Sequence, residues 1–305
     1  MCRCVRGAFL WGTDHFTDRD FSHRKQWVID RLMELQAIFA IDICAYAVMS
    51  NHYHVVLHID RDRARKWSSE EVIARWMRLF NLPVLVERYI RGQATSQAET
   101  DKALVIISQW RERLHDISWF MRALNEYLAR RANQEDRCKG RFWEGRFKSQ
   151  ALLDEAGLLT CMAYVDLNPI RACMAKTPET SDFTSVQARI REMKRSTANS
   201  PMNLRRFRTH RQDDTPIPFY LTDYLALVDW TGRSVRPDKR GAIDGSYPPI
   251  LARLNIDPDH WLSYMQPQGN VFHHAIGRAR QMQNYALSLG QLWLQGIGPS
   301  QRLFN

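Results

Sequence analysis

The chain has 305 residues, 45% of them hydrophobic, and 43 Lys and Arg against 33 Asp and Glu give it a formal charge of +10. That apolar content suffices for one large or two modest domains, while the lack of an apolar run of about eighteen residues or of a signal-peptide core argues against membrane-spanning and secreted readings and favours a cytoplasmic one. The basic charge, with ten tryptophans and thirteen phenylalanines, favours a polyanionic partner, most simply nucleic acid, and six cysteines without a C-x-x-C spacing suit a reducing compartment.

In chain order, Cys2 to Leu10 reads as a strand, and Ser22 is placed to cap a helix on which Val28, Leu32, Leu35 and Phe39 recur at helical spacing. Ile41 to Val48 has strand character, and Ser50-Asn51 turns it into a second strand opening at His52, so a hairpin is expected. From Arg61 to about Arg113 the chain is charged and helical, interrupted at Pro83 and by a polar loop at Gly92 to Thr100, and reads as an insertion. Asp116 caps the next helix, with Ile117, Phe120, Met121, Leu124 and Leu128 on one face. Gly140 to Lys148 alternates aromatic and basic residues before Ala151-Leu152-Leu153, a final strand, which completes a β-α-β-β-α-β order.

Asp154 or Glu155 then starts a helix running to Asn168, where Pro169 sets a boundary. Ser196 to Pro218, poor in apolar residues and containing Arg205-Arg206-Phe207-Arg208, reads as a solvated linker, and helical periodicity returns at Phe219 to Trp230 and Val271 to Leu289. Two domains are therefore expected: 1–180, with the insertion at about 61–113, and a helical region at 181–305.

His52-Tyr53-His54 holds the densest chemistry. Alternate strand residues share a face about 6.6 Å apart, so two imidazoles can converge on one metal ion while Tyr53, Val55 and Leu57 pack inward. His58 shares that face but lies about 13 Å further along, too far to share the ion. The plainer alternative is a pair of partly exposed strand histidines. On the helix before Pro169, Tyr164 and Asn168 are spaced i,i+4 and face one neighbour, which the histidine strand could be. Two imidazoles and a carboxamide oxygen would leave an ion open positions for a phosphate, with Tyr164 set to attack phosphorus. Against this, Tyr164 could be an ordinary half-buried tyrosine and Asn168 a turn residue; Tyr127, a rival phenol, is expected to be structural.

Three blocks, Met49-Ser50-Asn51-His52-Tyr53-His54-Val55-Val56, Gly140-Arg141-Phe142-Trp143-Glu144-Gly145-Arg146-Phe147-Lys148-Ser149 and Ala163-Tyr164-Val165-Asp166-Leu167-Asn168-Pro169-Ile170-Arg171-Ala172, together resemble the single-tyrosine HUH transposases, most closely the REP-associated tyrosine transposases. The resemblance covers roughly residues 1 to 180. It implies an α+β fold with a ferredoxin-like antiparallel sheet and packed helices, extended here by the helical insertion and the helical C-terminal region. By motif it makes His52 and His54 metal ligands, Asn168 the third ligand and Tyr164 the nucleophile, with Mg²⁺ or Mn²⁺ as the cofactor and no nucleotide cofactor.

The activity implied is cleavage and rejoining of single-stranded DNA beside REP-like hairpins through a 5′-phosphotyrosine. Arg141, Arg146, Lys148 and Arg171 are the expected contacts to the DNA backbone, and the family admits a homodimer. Ser50 replaces a proline found in many relatives, and the first strand is short against theirs, so either the assigned start is late or the sheet edge is clipped. The competing function is a domesticated, non-catalytic binder of DNA or RNA hairpins. A replication-initiation or relaxase-type nickase would carry its tyrosine in another context than Tyr-x-x-x-Asn-Pro.

Overall fold

The structure, a computed structural model, describes residues 2–4, 12–14, 19–195, 204–209, 216–235, 247–266 and 272–304. Short strands β1 (Cys2–Arg3), β2 (Thr13–Asp14) and β3 (Arg19–Asp20) precede helix α1 (Arg24–Gln36), and the hairpin of β4 (Ile41–Val48) and β5 (His52–Ile59) follows. Helices α2 (Arg61–Lys66), α3 (Ser69–Met77), α4 (Val84–Ile90), α5 (Gln97–Arg113) and α6 (Ile117–Glu135) come next, then strand β6 (Ala151–Leu152) and helices α7 (Glu155–Asp166), α8 (Asn168–Arg171) and α9 (Ser185–Arg195). The rest of the described chain holds α10 (Leu221–Ser234), α11 (Pro249–Arg253), α12 (Pro258–Met265), β7 (Ala275–Ile276), α13 (Ala279–Ser288) and α14 (Ile297–Leu303).

The fold is mixed α+β. Many helix starts follow from local chemistry: Asp60, Ser68, Ser96, Asp116, Asp154 and Asp257 each accept a first-turn backbone N–H, which satisfies one of the donors a helix start leaves unbonded. Pro83 caps α4 and separates it from α3, as the insertion reading anticipated. Ser22 does not cap α1; His23 takes that position without a side-chain bond.

Spatially the chain gathers into two compact units, one of Met1–Arg3, Cys44–Val56 and Gly145–Asn305, the other of Cys4–Ile43 and Leu57–Glu144. This division does not follow the boundary at 180/181 that composition suggested, because residues on both sides of it belong to the first unit. In the second unit α1 packs on α6, and α3 and α4 pack on α5. Buried Arg24 pairs there with Glu135 at 2.6 Å and with Asp136.

The main sheet runs β1-β5-β4, with β1 antiparallel to β5 and Cys2 opposite Tyr53. Of the expected strand from Cys2 to Leu10, residues 5–10 lie outside the described residues. Strand β6 does not join this sheet among the described residues; it pairs in parallel with β7, Ala151 opposite Ala275 and Leu152 opposite Ile276. The outer edge of β4 is covered: Val48 N–H donates to the Phe183 carbonyl at 3.1 Å and Tyr46 N–H to Ser185 Oγ at 3.1 Å.

The core of the first unit gathers on α7, where Ala156, Leu159, Met162, Ala163 and Val165 are buried with residues of α10, α11 and α12. From the described part of the expected linker, Phe207 and Ile217 join it, with Phe207 bridging Ile217, and Leu204 is also buried. Arg206 and Arg208 are exposed, and residues 196–203 and 210–215 lie outside the described set. No helix among the described residues is long and apolar enough to cross a membrane.

Candidate active site

Strand alternation brings the two histidines together. The rings of His52 and His54 lie 5.0 Å apart, edge to face, on β5. Tyr53 between them is fully buried, as alternation requires, but the inward row then shifts: Val56 is buried and Val55 and Leu57 are only partly so. His58 stands apart from the pair, 3.5 Å from Asp42 in an ion-pair geometry.

His52 Nδ1 is 2.7 Å from the Asn51 carboxamide oxygen. With Nδ1 as the donor, the lone pair sits on Nε2, and Asn51 fixes the ring as an outer partner of a metal-ligating histidine would. Burial first, then the neighbouring His52 and the Arg171 guanidinium, hold His54 well below the usual imidazole pKa. It is therefore neutral near pH 7, the state in which imidazole ligates a metal.

Helix α7 carries the phenol to this pair. The Tyr164 ring is half-buried, and its centroid lies 6.4 Å from that of His54. Two further groups hold it. The Tyr264 ring of α12 lies 5.7 Å away, tilted by 43°, and the Arg171 guanidinium carbon stands 3.9 Å from the Tyr164 centroid. Arg171 Nη2 donates to the Gln266 carbonyl at 2.8 Å, while its Nε–H is buried and makes no hydrogen bond to another described residue.

Asn168 lies one turn beyond Tyr164, half-buried, where α7 gives way to α8. The expected continuous helix to Asn168 instead stops at Asp166 and restarts after Leu167, because Pro169 has no N–H to donate into the preceding turn. Asn168 nonetheless keeps helical pairing, its carbonyl accepting the Ala172 N–H at 2.9 Å.

The other expected contacts are dispersed. Arg141, Arg146 and Lys148 are exposed, and Arg141 Nε donates to the Trp143 carbonyl at 2.8 Å. Phe142 is buried, and Trp143 gives its indole N–H to the Asn125 carbonyl at 2.9 Å, so these two rings pack into the protein. Tyr127 accepts from Arg131 at 2.8 Å under the Arg31 guanidinium, a packing role.

Among the described residues no group of three or more His, Cys, Asp and Glu is placed to hold a metal ion. A divalent ion at the paired imidazoles would therefore draw on a donor outside that set, and the carboxamide of Asn168 is one that suits Mg²⁺ or Mn²⁺. A neutral His54, a His52 ring turned by Asn51 and a nearby carboxamide are compatible with such an ion. Sequence reasoning missed Asn51, Tyr264 and Gln266. Asn51 was visible beside His52, but nothing in the sequence links residues 264 and 266 to a phenol a hundred residues earlier. No family model matches the chain, and comparison with curated proteins and with solved structures finds no match.

Proposed function

We propose that this protein is a DNA strand transferase of the single-tyrosine HUH type, resembling the REP-associated tyrosine transposases. The observation that carries the reading is a phenol on a helix, 6.4 Å ring to ring from one of two imidazoles that are themselves 5.0 Å apart on a strand. The frame is read as ferredoxin-like. In support, β1 lies beside β5 and β5 beside β4, the first-third-second neighbour order of such a sheet, with β6 diverted to β7.

In the proposed reaction Tyr164 Oη attacks the scissile phosphorus of single-stranded DNA, a new P–O bond forms to the phenol, and the P–O3′ bond breaks. The phenolic proton is lost and the departing 3′ oxygen gains one, leaving a 5′-phosphotyrosine and a free 3′-hydroxyl for the reverse joining step. One phosphodiester replaces another, so no nucleotide is consumed. Held by His52, His54 and Asn168, Mg²⁺ or Mn²⁺ would supply Lewis-acid polarisation of the phosphate. Arg171 lies over the phenol ring, where its charge favours the negative charge that develops on attack.

The test is incubation with Mg²⁺ or Mn²⁺ and 3′-labelled single-stranded hairpin oligonucleotides, followed by denaturing electrophoresis. Wild type should give a label-bearing protein adduct. Tyr164→Phe should give none while still binding DNA, His52→Ala should lose the metal-dependent reaction, and Tyr127→Phe should match wild type. Tight hairpin binding with no adduct across a broad hairpin panel would instead support the non-catalytic binder.

A further inference from the structure

The unit of Cys4–Ile43 and Leu57–Glu144 contains a cleft of about 620 Å³ built entirely from its own residues. That is the size of a small-ligand pocket and large enough for a nucleotide. Arg31 of α1, Phe80 after α3, and Arg122, Tyr127, Arg130 and Arg131 of α6 line it. The one carboxylate among the lining residues, Glu126, is shared between Arg122 at 3.5 Å and Arg130 at 2.5 Å, while Arg31 pairs with Glu34 at 2.6 Å. The i,i+4 spacing of Arg122, Glu126 and Arg130, and of Tyr127 and Arg131, sets all five on neighbouring rows of α6.

Three of the four guanidinium groups lie over aromatic rings. The Arg31 guanidinium carbon is 4.6 Å from the Tyr127 centroid, that of Arg131 is 4.1 Å from Trp27, and that of Arg122 is 5.2 Å from Trp119. Stacking engages the face of a guanidinium, and the in-plane N–H groups not already given to Glu34, Ala123, Glu126 and Tyr127 remain for anionic oxygens. Phe80 and Tyr127 are only partly buried, so aromatic surface remains open beside the charges. A small anion would have no use for the rings, and an apolar ligand none for the arginines. A flexible strand that alternates phosphates with flat bases uses both.

We propose that this cleft binds single-stranded DNA as a contact additional to the residues around Tyr164; the choice of DNA rests on the strand-transfer reading. Anisotropy titration of the full chain with a fluorescent hairpin oligonucleotide bearing a single-stranded tail, at several KCl concentrations, reads both affinity and salt slope. Arg122→Gln/Arg131→Gln should weaken binding at least about tenfold and flatten the slope by about 1.4, two phosphates at about 0.7 each. Arg122→Gln alone, at an exposed position, should flatten it by about half as much. Arg206→Gln/Arg208→Gln removes the same charge from exposed positions of the other unit and should leave both quantities near wild type.

Wild-type affinity and slope in the folded Arg122→Gln/Arg131→Gln protein would overturn the proposal, as would tighter binding of an RNA of the same sequence. Loss of DNA binding in the cleft variants together with no Tyr164 adduct in wild type would remove the strand-transfer reading and leave the cleft standing.

Discussion

Tyr164 is defined by one neighbour close in sequence and two from about a hundred residues away. His54, Arg171 and Tyr264 all lie against its ring, and Gln266 holds Arg171 in turn. If the phenol is the nucleophile, Tyr264 sets its attitude toward phosphorus, and misplacement by an ångström can cost a hundredfold in rate. Tyr264→Leu should therefore slow adduct formation by about tenfold, some 1.4 kcal/mol, without changing DNA affinity, and Tyr264→Phe should restore the rate. Single-turnover gel assays check both. The histidine pair and the tyrosine could be read from the sequence because strand and helix periods fix which side chains share a face. Arg171 was legible only as a charge expected to meet DNA; its place over the phenol depends on α12, to which no local pattern pointed.

Helix α7 is buried on most sides, down to the carboxyl of Asp166. Residues beyond 200, on α10, α11 and α12, share its core. Where β7 meets the start of α7, a Cβ on Gly157 would come within 2.5 Å of the Ile276 carbonyl oxygen. Gly157→Ala should thus destabilise the protein by about 2 kcal/mol despite alanine's better helix propensity, which thermal unfolding will show.

Asp166 is bonded by Ser185 Oγ and Tyr224 Oη, each at 2.5 Å, and by the Val186 N–H at 3.0 Å, yet burial outweighs these bonds and raises its pKa. The folded state then holds a proton that the unfolded chain releases above its ordinary value of 3.8. Stability from this group is present below that pH and declines as pH rises toward the folded value. Denaturant unfolding of wild type against Asp166→Asn across pH 3 to 8 should show wild type losing ground as pH increases.

For the whole molecule, composition identified a basic chain, helical periodicity the helices of its C-terminal part, and strand character with the Ser50-Asn51 turn the hairpin. Composition could not anticipate the partition in space, because one unit is assembled from three separated segments. The polar stretch read as a linker illustrates the limit: Leu204, Phe207 and Ile217, sparse among polar neighbours, are buried. A chain ending at residue 180 would leave α7 without α10, α12 and β7. It should lack cooperative unfolding by calorimetry and form no adduct, even though it contains every motif residue.

The pairing of β6 with β7 has a further consequence. Asp154 caps α7 through the Gly157 N–H at 2.8 Å and also accepts the Arg278 N–H at 2.6 Å, so the helix bearing the phenol is completed by chain made more than a hundred residues later. During translation the start of α7 cannot gain its Arg278 contact until residue 278 has left the ribosome, so on the strand-transfer proposal a nascent chain interrupted earlier should form no adduct.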